Sequence, residues 1–318
     1  MNIGVLLTTF ESVALLLGIG AFGLWVISRR ILPQEALGTL SILALDICLP
    51  SLVFVNILEN FNPSAYPGWW LLPVWWAGFT LFQGALTALL SRIAQRKTRR
   101  EFAVSLFFQN ALFFPLAILM GLFGPDSTFI VQLFFFMLLF PSLLFSTAHL
   151  FFGISAASLE WSKIFNKILA ATILATTLRL TGTSAIIPGF VVSALSMIGD
   201  MAIPLLLMIL GGNIYVDFKN KGQLYPIEVG KFVLVKNFLF PIIALAVLVA
   251  IRPPYHIALL IILQAAVPPI TAIPILTERA GGDREVVNQF MFSSFAVSLV
   301  SIPLIIGLFG IFFQLPVP

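Results

Sequence analysis

Long apolar runs alternate along this chain with short polar segments. Glycine, proline and charged residues divide the sequence into ten such runs. Each run is close to the roughly 20 residues that a helix needs to cross the hydrocarbon core of a bilayer. The pattern therefore predicts ten transmembrane helices, spans one to ten, at 3–28, 36–59, 68–91, 102–123, 127–153, 162–181, 188–216, 229–251, 255–277 and 286–313.

The composition agrees with an all-α polytopic membrane protein. Hydrophobic residues make up 60% of the 318 positions and charged residues 9%, against about 45–50% and about 25% in soluble proteins. The net charge of +4 is explained by the excess of Lys and Arg that membrane proteins carry in their cytoplasmic loops. No nucleic-acid partner is therefore expected. One cysteine and two histidines cannot form a disulfide or a zinc cluster. We expect no metal, no cofactor and no enzymatic activity.

The distribution of basic residues gives an orientation. With the N-terminus outside, the loops predicted on the cytoplasmic side hold 14 of the 17 Lys and Arg residues, and the outer loops hold only Arg179 and Arg252. Positive charge is retained on the cytoplasmic side of a membrane. The sequence therefore predicts an integral protein of the plasma (inner) membrane, with both the N-terminus and the C-terminus outside.

Similar residues recur when the chain is shifted by 154 positions. The matched pairs are Asp46 with Asp200, Pro50 with Pro204, Gln83 with Asn237, Asn110 with Gln264, and Pro115 with Pro269. The repeat unit contains five spans, and an odd number makes the second copy enter the membrane from the opposite face. We therefore expect two inverted repeats, 1–158 and 159–318, an arrangement typical of alternating-access transporters.

Spans four and nine carry helix-breaking prolines beside polar side chains. Proline removes a backbone donor and clashes with the preceding turn, and unwound backbone at membrane depth must be buried in protein or line a cavity. Interruptions at matching places in an inverted repeat point to a substrate site, although a simple proline kink is the alternative, most of all at Pro115. The candidate substrate-binding residues are Gln109, Asn110, Pro115, Gln264, Pro268 and Pro269.

Asp46 and Asp200 each lie about ten residues into a span and four residues before Pro50 and Pro204. A carboxylate at the bilayer centre is costly, at roughly 2.5–3.5 kcal/mol or more. Each must therefore face a cavity or a partner, or be protonated. They are candidate proton carriers, or else buried groups that cap the break at the proline.

Lys236 is a basic residue inside span eight, beside Asn237. It is a possible charge partner for an anionic substrate or an aspartate, with Asn237 and its repeat mate Gln83 nearby. The alternative, which we favour from the sequence, is that its long side chain reaches back to the cytoplasmic interface.

Several stretches resemble the auxin efflux carrier family, which includes the plant PIN proteins and short bacterial permeases. They are Gln264 to Pro268, Ile273 to Glu278, Gly281 to Asp283 and Ser298 to Pro303, with Ala202 to Gly211, Leu49 to Phe54, and Asn110 to Gly124. The long hydrophilic loop of typical plant PIN proteins is absent, which favours a short, bacterial-type carrier within the bile acid and auxin carrier superfamily.

The resemblance implies a scaffold domain of helices 1, 2, 6 and 7 that forms a homodimer, and a transport domain of helices 3–5 and 8–10. Broken helices 4 and 9 would cross near the substrate, with Asp46, Pro50, Asp200 and Pro204 on the scaffold side. The expected function is secondary transport of a small organic anion, an auxin-like monocarboxylate or a dicarboxylate such as malate or malonate, by an elevator mechanism. A proton ranks above sodium as coupling ion, because spans four, five, nine and ten lack an acidic residue at mid-depth.

Two other classes stay open. A sensor could use the carrier fold to bind without flux. An intramembrane aspartyl protease could pair Asp46 with Asp200, since two close carboxylates can share one proton. However, the Gly-x-Gly-Asp motif of such proteases is incomplete in this sequence, because Met197 occupies the position of the first glycine.

Overall fold

The computed structural model describes residues 3–153, 167–219 and 224–314. Across these ranges the regular structure is helical, with one isolated β-bridge and no strand. The helices are α1 (Ile3–Ser28), α2 (Ala36–Asn60), α3 (Trp69–Ile93), α4 (Arg99–Phe107), α5 (Phe113–Phe123), α6 (Thr128–Phe136), α7 (Phe140–Thr147), α8 (Lys167–Leu180), α9 (Gly189–Asp200), α10 (Ala202–Lys219), α11 (Pro226–Ile251), α12 (Tyr255–Ala266), α13 (Ile273–Arg279) and α14 (Arg284–Phe312).

Six helical stretches in the described part of the chain are long and apolar enough to cross a bilayer. They are Leu7–Ser28, Ala36–Asn60, Trp69–Ile93, Gly189–Val216, Pro226–Ile251 and Arg284–Phe312. They correspond to predicted spans one, two, three, seven, eight and ten, with ends within a few residues of the prediction. Three shorter apolar helices, Phe113–Phe123, Thr128–Leu144 and Tyr255–Ala266, lie in predicted spans four, five and nine.

Predicted spans four and nine are each interrupted near their middle. Span four divides into α4 and α5 around residues 108–112, and span nine divides into α12 and α13 around residues 267–272. Of span six, residues 167–181 are described, and they contain the helix Lys167–Leu180. The predicted loop at 154–161 and the boundary between 158 and 159 lie outside the described residues.

Glycines allow α1 and α10 to pack along each other at very short distance. A Cβ atom added to Gly211 would lie 1.7 Å from the Gly20 carbonyl oxygen, and one added to Gly23 would lie 2.2 Å from the Met208 carbonyl oxygen. Small residues let helix backbones approach closely in membranes, where packing replaces the hydrophobic effect. A second close contact joins α9 to α2, because a Cβ at Gly199 would meet the Leu52 backbone at 2.8 Å.

α1, α2, α3 and α14 each pack against several other helices. α1 packs on α10, α5 and α14, and α2 packs on α8, α9 and α6. α3 packs on α4, α6 and α12, while α14 packs on α4, α11, α12 and α13.

A five- or six-residue π-helical turn precedes a proline in α2 and in α11. The turns are Ala44–Cys48 before Pro50 and Leu234–Leu239 before Pro241. Proline offers no N–H to the carbonyl four residues earlier, and the wider turn shifts the hydrogen bonds so that the helix continues past it. Such π-turns are frequent at functional sites. Asp46 lies in the first turn and Lys236 in the second.

Candidate substrate site at the helix crossover

The two interrupted segments, 108–112 and 267–272, cross and bind each other through the main chain; we call this region the crossover. The Asn110 nitrogen donates to the Pro268 carbonyl oxygen at 2.8 Å, and the Ile270 nitrogen donates to the Phe108 carbonyl oxygen at 2.9 Å. Gln109 and Pro269 form the isolated antiparallel bridge between them. Each unwound segment thus satisfies part of the other's backbone, as burial away from water requires.

Three glutamines connect the crossover to the surrounding helices. Gln109 donates to the Gln264 side-chain oxygen at 3.2 Å. Gln264 donates to the Ala111 carbonyl oxygen at 2.7 Å. From α3, Gln83 donates to Gln109 at 2.5 Å and also to the Phe107 carbonyl oxygen. All three side chains are buried, so the network fixes the crossover to α3.

Pro115 explains one of these bonds. It lies in the first turn of α5, after the interruption, and it cannot donate to Ala111 four residues earlier. The carbonyl that it leaves free is the one that accepts from Gln264. At Pro115 the expected break is therefore displaced toward residues 108–112, whereas Pro268 and Pro269 lie inside the second interruption.

Asn110 combines a structural bond with an unused donor. Its side-chain oxygen accepts from the Phe113 nitrogen at 3.2 Å, which caps the start of α5. Its side-chain nitrogen is buried and has no hydrogen-bond partner among the described residues, and the residue is 1% exposed. An unpaired buried donor beside a helix N-terminus is suited to an anion, since the terminus adds a positive dipole end.

The crossover corrects the register of the proposed repeat. The reciprocal bonds relate Phe108 to Pro268 and Asn110 to Ile270, and both differences are 160 (268 − 108 and 270 − 110). The ungapped matches of Asn110 with Gln264 and of Pro115 with Pro269 are therefore wrong as structural equivalents. The offset between the two crossing segments is 160 residues, whereas the offset between Asp46 and Asp200 is 154, a difference of six.

The repeat mates Gln83 and Asn237 have different partners. Gln83 binds the crossover, as above. Asn237 donates to the Ser294 carbonyl oxygen at 3.0 Å and to the Ser301 hydroxyl at 3.1 Å, and it accepts from the Ser294 hydroxyl at 2.8 Å. Asn237 therefore fastens α11 to α14. From the sequence, Ser294 was considered only as a neutral oxygen for a sodium ion, and Ser301 only as part of the family-like stretch Ser298 to Pro303.

Asp46 and Asp200 lie away from the crossover. The Asp46 carboxylate is 2.9 Å from the Lys167 nitrogen, and both side chains are partly exposed. Asp200 is exposed and lines a cavity of about 90 Å³ between α2, α5 and α9, together with Glu59 and Asp126. Asp46 thus faces a partner and Asp200 lines a cavity, and a role of either carboxylate as a proton carrier stays a prediction.

The two aspartates do not form a protease dyad. Gly199 lies against the backbone of Leu52. The next residue, Asp200, is therefore close to Leu52 along α2. Asp46 precedes Leu52 by six residues, or roughly 9 Å along a helix. A shared proton requires carboxylates about 3 Å apart, and the Asp46 carboxylate is instead paired with Lys167.

Lys236 does not reach an interface. The residue is 0% exposed, and its nitrogen has no hydrogen-bond partner among the described residues. That nitrogen lies 5.1 Å from the centre of the Phe240 ring. The favoured sequence interpretation, a side chain extended to the cytoplasmic surface, is wrong, because the π-turn and the packing of α11 against α14 turn Lys236 into the protein interior.

Two further carboxylates each accept a hydrogen bond from a loop that is distant in sequence. The buried Glu228 carboxylate of α11 accepts from the Gln95 nitrogen at 3.0 Å, the Thr98 hydroxyl at 3.2 Å and the Lys231 nitrogen at 2.7 Å. Glu101 of α4 accepts from the Asp283 nitrogen at 3.1 Å. Sequence reasoning missed both carboxylates, although each stands near the start of an apolar segment. Within the described ranges, no three His, Cys, Asp or Glu residues are grouped so as to hold a metal ion.

The fold and the crossover define a class of protein: a helical integral membrane protein with two interrupted helices that meet inside it. A family model described as "Membrane transport protein" matches residues 8–161 and 151–306. The chain therefore belongs to this family of membrane transporters, the auxin efflux carrier family that the sequence resembles.

One curated relative is Protein PIN-LIKES 1 of Arabidopsis thaliana. It is 31% identical over 117 residues, which cover 34% of this chain and 24% of that protein. The match thus spans about a quarter of the relative's length.

Proposed function

We propose that this protein is a secondary transporter of a small organic anion that binds at the crossover. The observation that carries the proposal is the side-chain nitrogen of Asn110, which is buried beside the N-terminus of α5 and unpaired as far as the described residues extend. A carboxylate is the simplest group that would satisfy both this donor and the dipole of the helix. The substrate class is an auxin-like monocarboxylate or a small dicarboxylate such as malonate or malate.

We infer two inverted five-helix repeats, ten spans in all, with both termini outside the plasma membrane. The reciprocal bonds between residues 108–110 and 268–270 support a local two-fold relation between the halves. The distribution of Lys and Arg supports the orientation.

The mechanism that fits is an elevator. Helices α3–α7 and α11–α14 would move as one transport domain against a scaffold of α1, α2, α8, α9 and α10. The bonds Gln83–Gln109, Glu228–Gln95 and Glu101–Asp283 join elements of the proposed transport domain, and close glycine contacts join α1 to α10 of the proposed scaffold. Asn110 is buried in this conformation, so the substrate reaches it when α5 moves relative to α1 and α2.

The scaffold also supplies the surface for a homodimer. Large apolar side chains on α9 and the turn before it are exposed, among them Ile186, Phe190 and Met197. A second copy of the scaffold, with lipid around it, would cover them. A proton is proposed as the coupling ion, ahead of sodium, because no cluster of acidic ligands accompanies the crossover in the described residues.

Counterflow in liposomes tests the transport proposal. Purified protein is first screened by thermal shift against malonate, malate and indole-3-acetate. Proteoliposomes loaded with the ligand that stabilises it are then given the radiolabelled ligand outside. Accumulation of label above the level of empty liposomes supports a carrier. A thermal shift without any flux would instead favour a sensor that uses the carrier fold.

A further inference from the structure

Lys236 is a buried basic residue that has no role in the proposed anion site at the crossover. Two other charged side chains are buried in the described residues, Glu101 and Glu228, and both carboxylates accept hydrogen bonds. The Lys236 nitrogen has neither a hydrogen bond nor an ion pair there. Its neighbour is the Phe240 ring, 5.1 Å away.

The main chain holds this nitrogen in place. Lys236 lies in the π-turn Leu234–Leu239, where the Phe240 nitrogen donates to the Val235 carbonyl oxygen five residues earlier. The adjacent Asn237 is fastened to Ser294 and Ser301 of α14. Lys236 lies ten residues after the start of α11, or roughly 15 Å along the helix, so it is far from the end of its span.

Within residues 3–153, 167–219 and 224–314, no charged group is paired with Lys236 from the elements packed around it. The π-turn packs against α14 and α12, and Phe240 contacts Phe82 of α3. The titratable groups on these elements lie toward helix ends and are Glu228 and Lys231 on α11, Arg284 and Glu285 on α14, Tyr255 and His256 on α12, and Arg92 on α3. Lys231, the closest in sequence, is itself 2.7 Å from the Glu228 carboxylate.

Intervening side chains connect Lys236 indirectly to the crossover. Its aromatic neighbour Phe240 contacts Phe82, with ring centres 6.5 Å apart. The next residue, Gln83, donates to Gln109 at 2.5 Å. In addition, α12 packs against the π-turn and ends at Ala266, directly before the second interruption.

A lone ammonium ion is strongly disfavoured in such a place. Removing a charge from water without a partner is costly, and intramembrane ionisable residues face functional cavities or partners for this reason. A nearby carboxylate would favour the charged form of the lysine. Binding of an anion and binding of a proton would then assist each other, and this reciprocity is required by linkage.

We propose that Lys236 is the proton-coupling residue of the carrier: neutral when the crossover is empty and protonated when a carboxylate occupies it. This inference rests on the proposed anion site. A proton from the aqueous side adds to the amine lone pair as the carboxylate binds, and it leaves when the carboxylate is released on the other side. No other bond forms or breaks, and one proton travels with each anion.

The test measures protons taken up per anion bound. Purified protein in weakly buffered detergent solution, with a pH-indicator dye, is titrated with malonate and with indole-3-acetate adjusted to the same pH. The wild type is expected to take up about one proton per bound anion. Lys236→Gln and Lys236→Arg are expected to take up none, since glutamine cannot titrate and arginine stays charged. Lys236→Arg should retain anion binding.

Lys97→Gln is the matched control. Lys97 also stands over an aromatic ring, 6.0 Å from the centre of Tyr225, but it is exposed. Its replacement should leave proton uptake as in the wild type. Proton uptake that persists in both Lys236 variants, or anion binding by the wild type without any uptake, would overturn the proposal. Failure of the wild type to bind either anion would instead count against the anion site itself.

Thermal stability without ligand gives a second measurement. If Lys236 is an uncompensated buried amine, Lys236→Met should unfold at the same or a higher temperature than the wild type, because the apolar side chain fills a similar volume. A large loss of stability in Lys236→Met would show that the lysine serves the fold through Phe240, and would contradict the coupling role.

Discussion

The backbone nitrogen of Asn110 donates a 2.8 Å hydrogen bond to the carbonyl oxygen of Pro268. This bond joins the two interrupted helices at the level where both are unwound. It also fixes the Asn110 side chain, whose oxygen accepts from the first residue of α5 while its nitrogen has no partner in the part of the chain that the structure describes. Asn110 therefore both stabilises the crossover and supplies the donor for the proposed anion site.

Replacing Gln264 with leucine should destabilise the protein. The Ala111 carbonyl oxygen and the Gln109 side-chain nitrogen would each lose their partner, and a buried polar group left unpaired costs about 1–3 kcal/mol. We expect a lower thermal unfolding midpoint and weaker anion binding. The exposed Gln95→Leu is the control, since Gln95 bonds through its backbone nitrogen. Equal stability of the two variants would show that the glutamine network does not hold the crossover.

Replacing Gly211 with alanine should separate α1 from α10. The added Cβ would lie 1.7 Å from the Gly20 carbonyl oxygen, and overpacking of this kind costs about 1–3 kcal/mol or more. Gly18→Ala is the matched control on α1, where a Cβ would meet nothing within 4 Å. Alanine there should be neutral or stabilising by about 0.5–1 kcal/mol. Unfolding midpoints of the purified variants measure both, and a Gly211→Ala protein as stable as the control would refute the close contact.

Asp46→Asn should have little effect on stability or on proton uptake. The Asp46 and Lys167 side chains are 46% and 62% exposed, and exposed ion pairs contribute about 0–1 kcal/mol. The measurement is the number of protons bound per anion, as for Lys236. If Asp46→Asn loses that uptake while Lys236→Gln keeps it, the proton carrier is the aspartate that the sequence first indicated.

The sequence predicted most helices because apolar length alone sets them. Spans one, two and ten were placed within two residues of α1, α2 and α14. The prolines also predicted that spans four and nine are interrupted. Their exact position was not predictable, because the break before Pro115 depends on the partner that Gln264 offers to Ala111.

The surroundings of charged side chains could not be predicted from the sequence. Lys236 lies seven residues into the predicted span eight, which suggested that its long side chain could reach the interface, and only the π-turn and the contacts with α14 bury it. Asp46 and Asp200 matched at an offset of 154, yet one pairs with Lys167 and the other lines a cavity. The six additional residues between Asp200 and the second interruption could not be recognised from the composition of the sequence.

The most direct test of the central claim is the affinity of Asn110→Asp for malonate and indole-3-acetate, measured by ligand-induced thermal stabilisation and by radioligand binding. Aspartate keeps the side-chain oxygen that accepts from the Phe113 backbone nitrogen. It replaces the side-chain nitrogen, a donor, with a second oxygen, an acceptor. Asn62→Asp is the control, because the exposed Asn62 side chain also accepts from backbone nitrogens, those of Ser64 and Ala65. We predict at least a tenfold loss of affinity in Asn110→Asp, or about 1.4 kcal/mol, and none in Asn62→Asp. Wild-type affinity in a folded Asn110→Asp protein would contradict an anion site at the crossover.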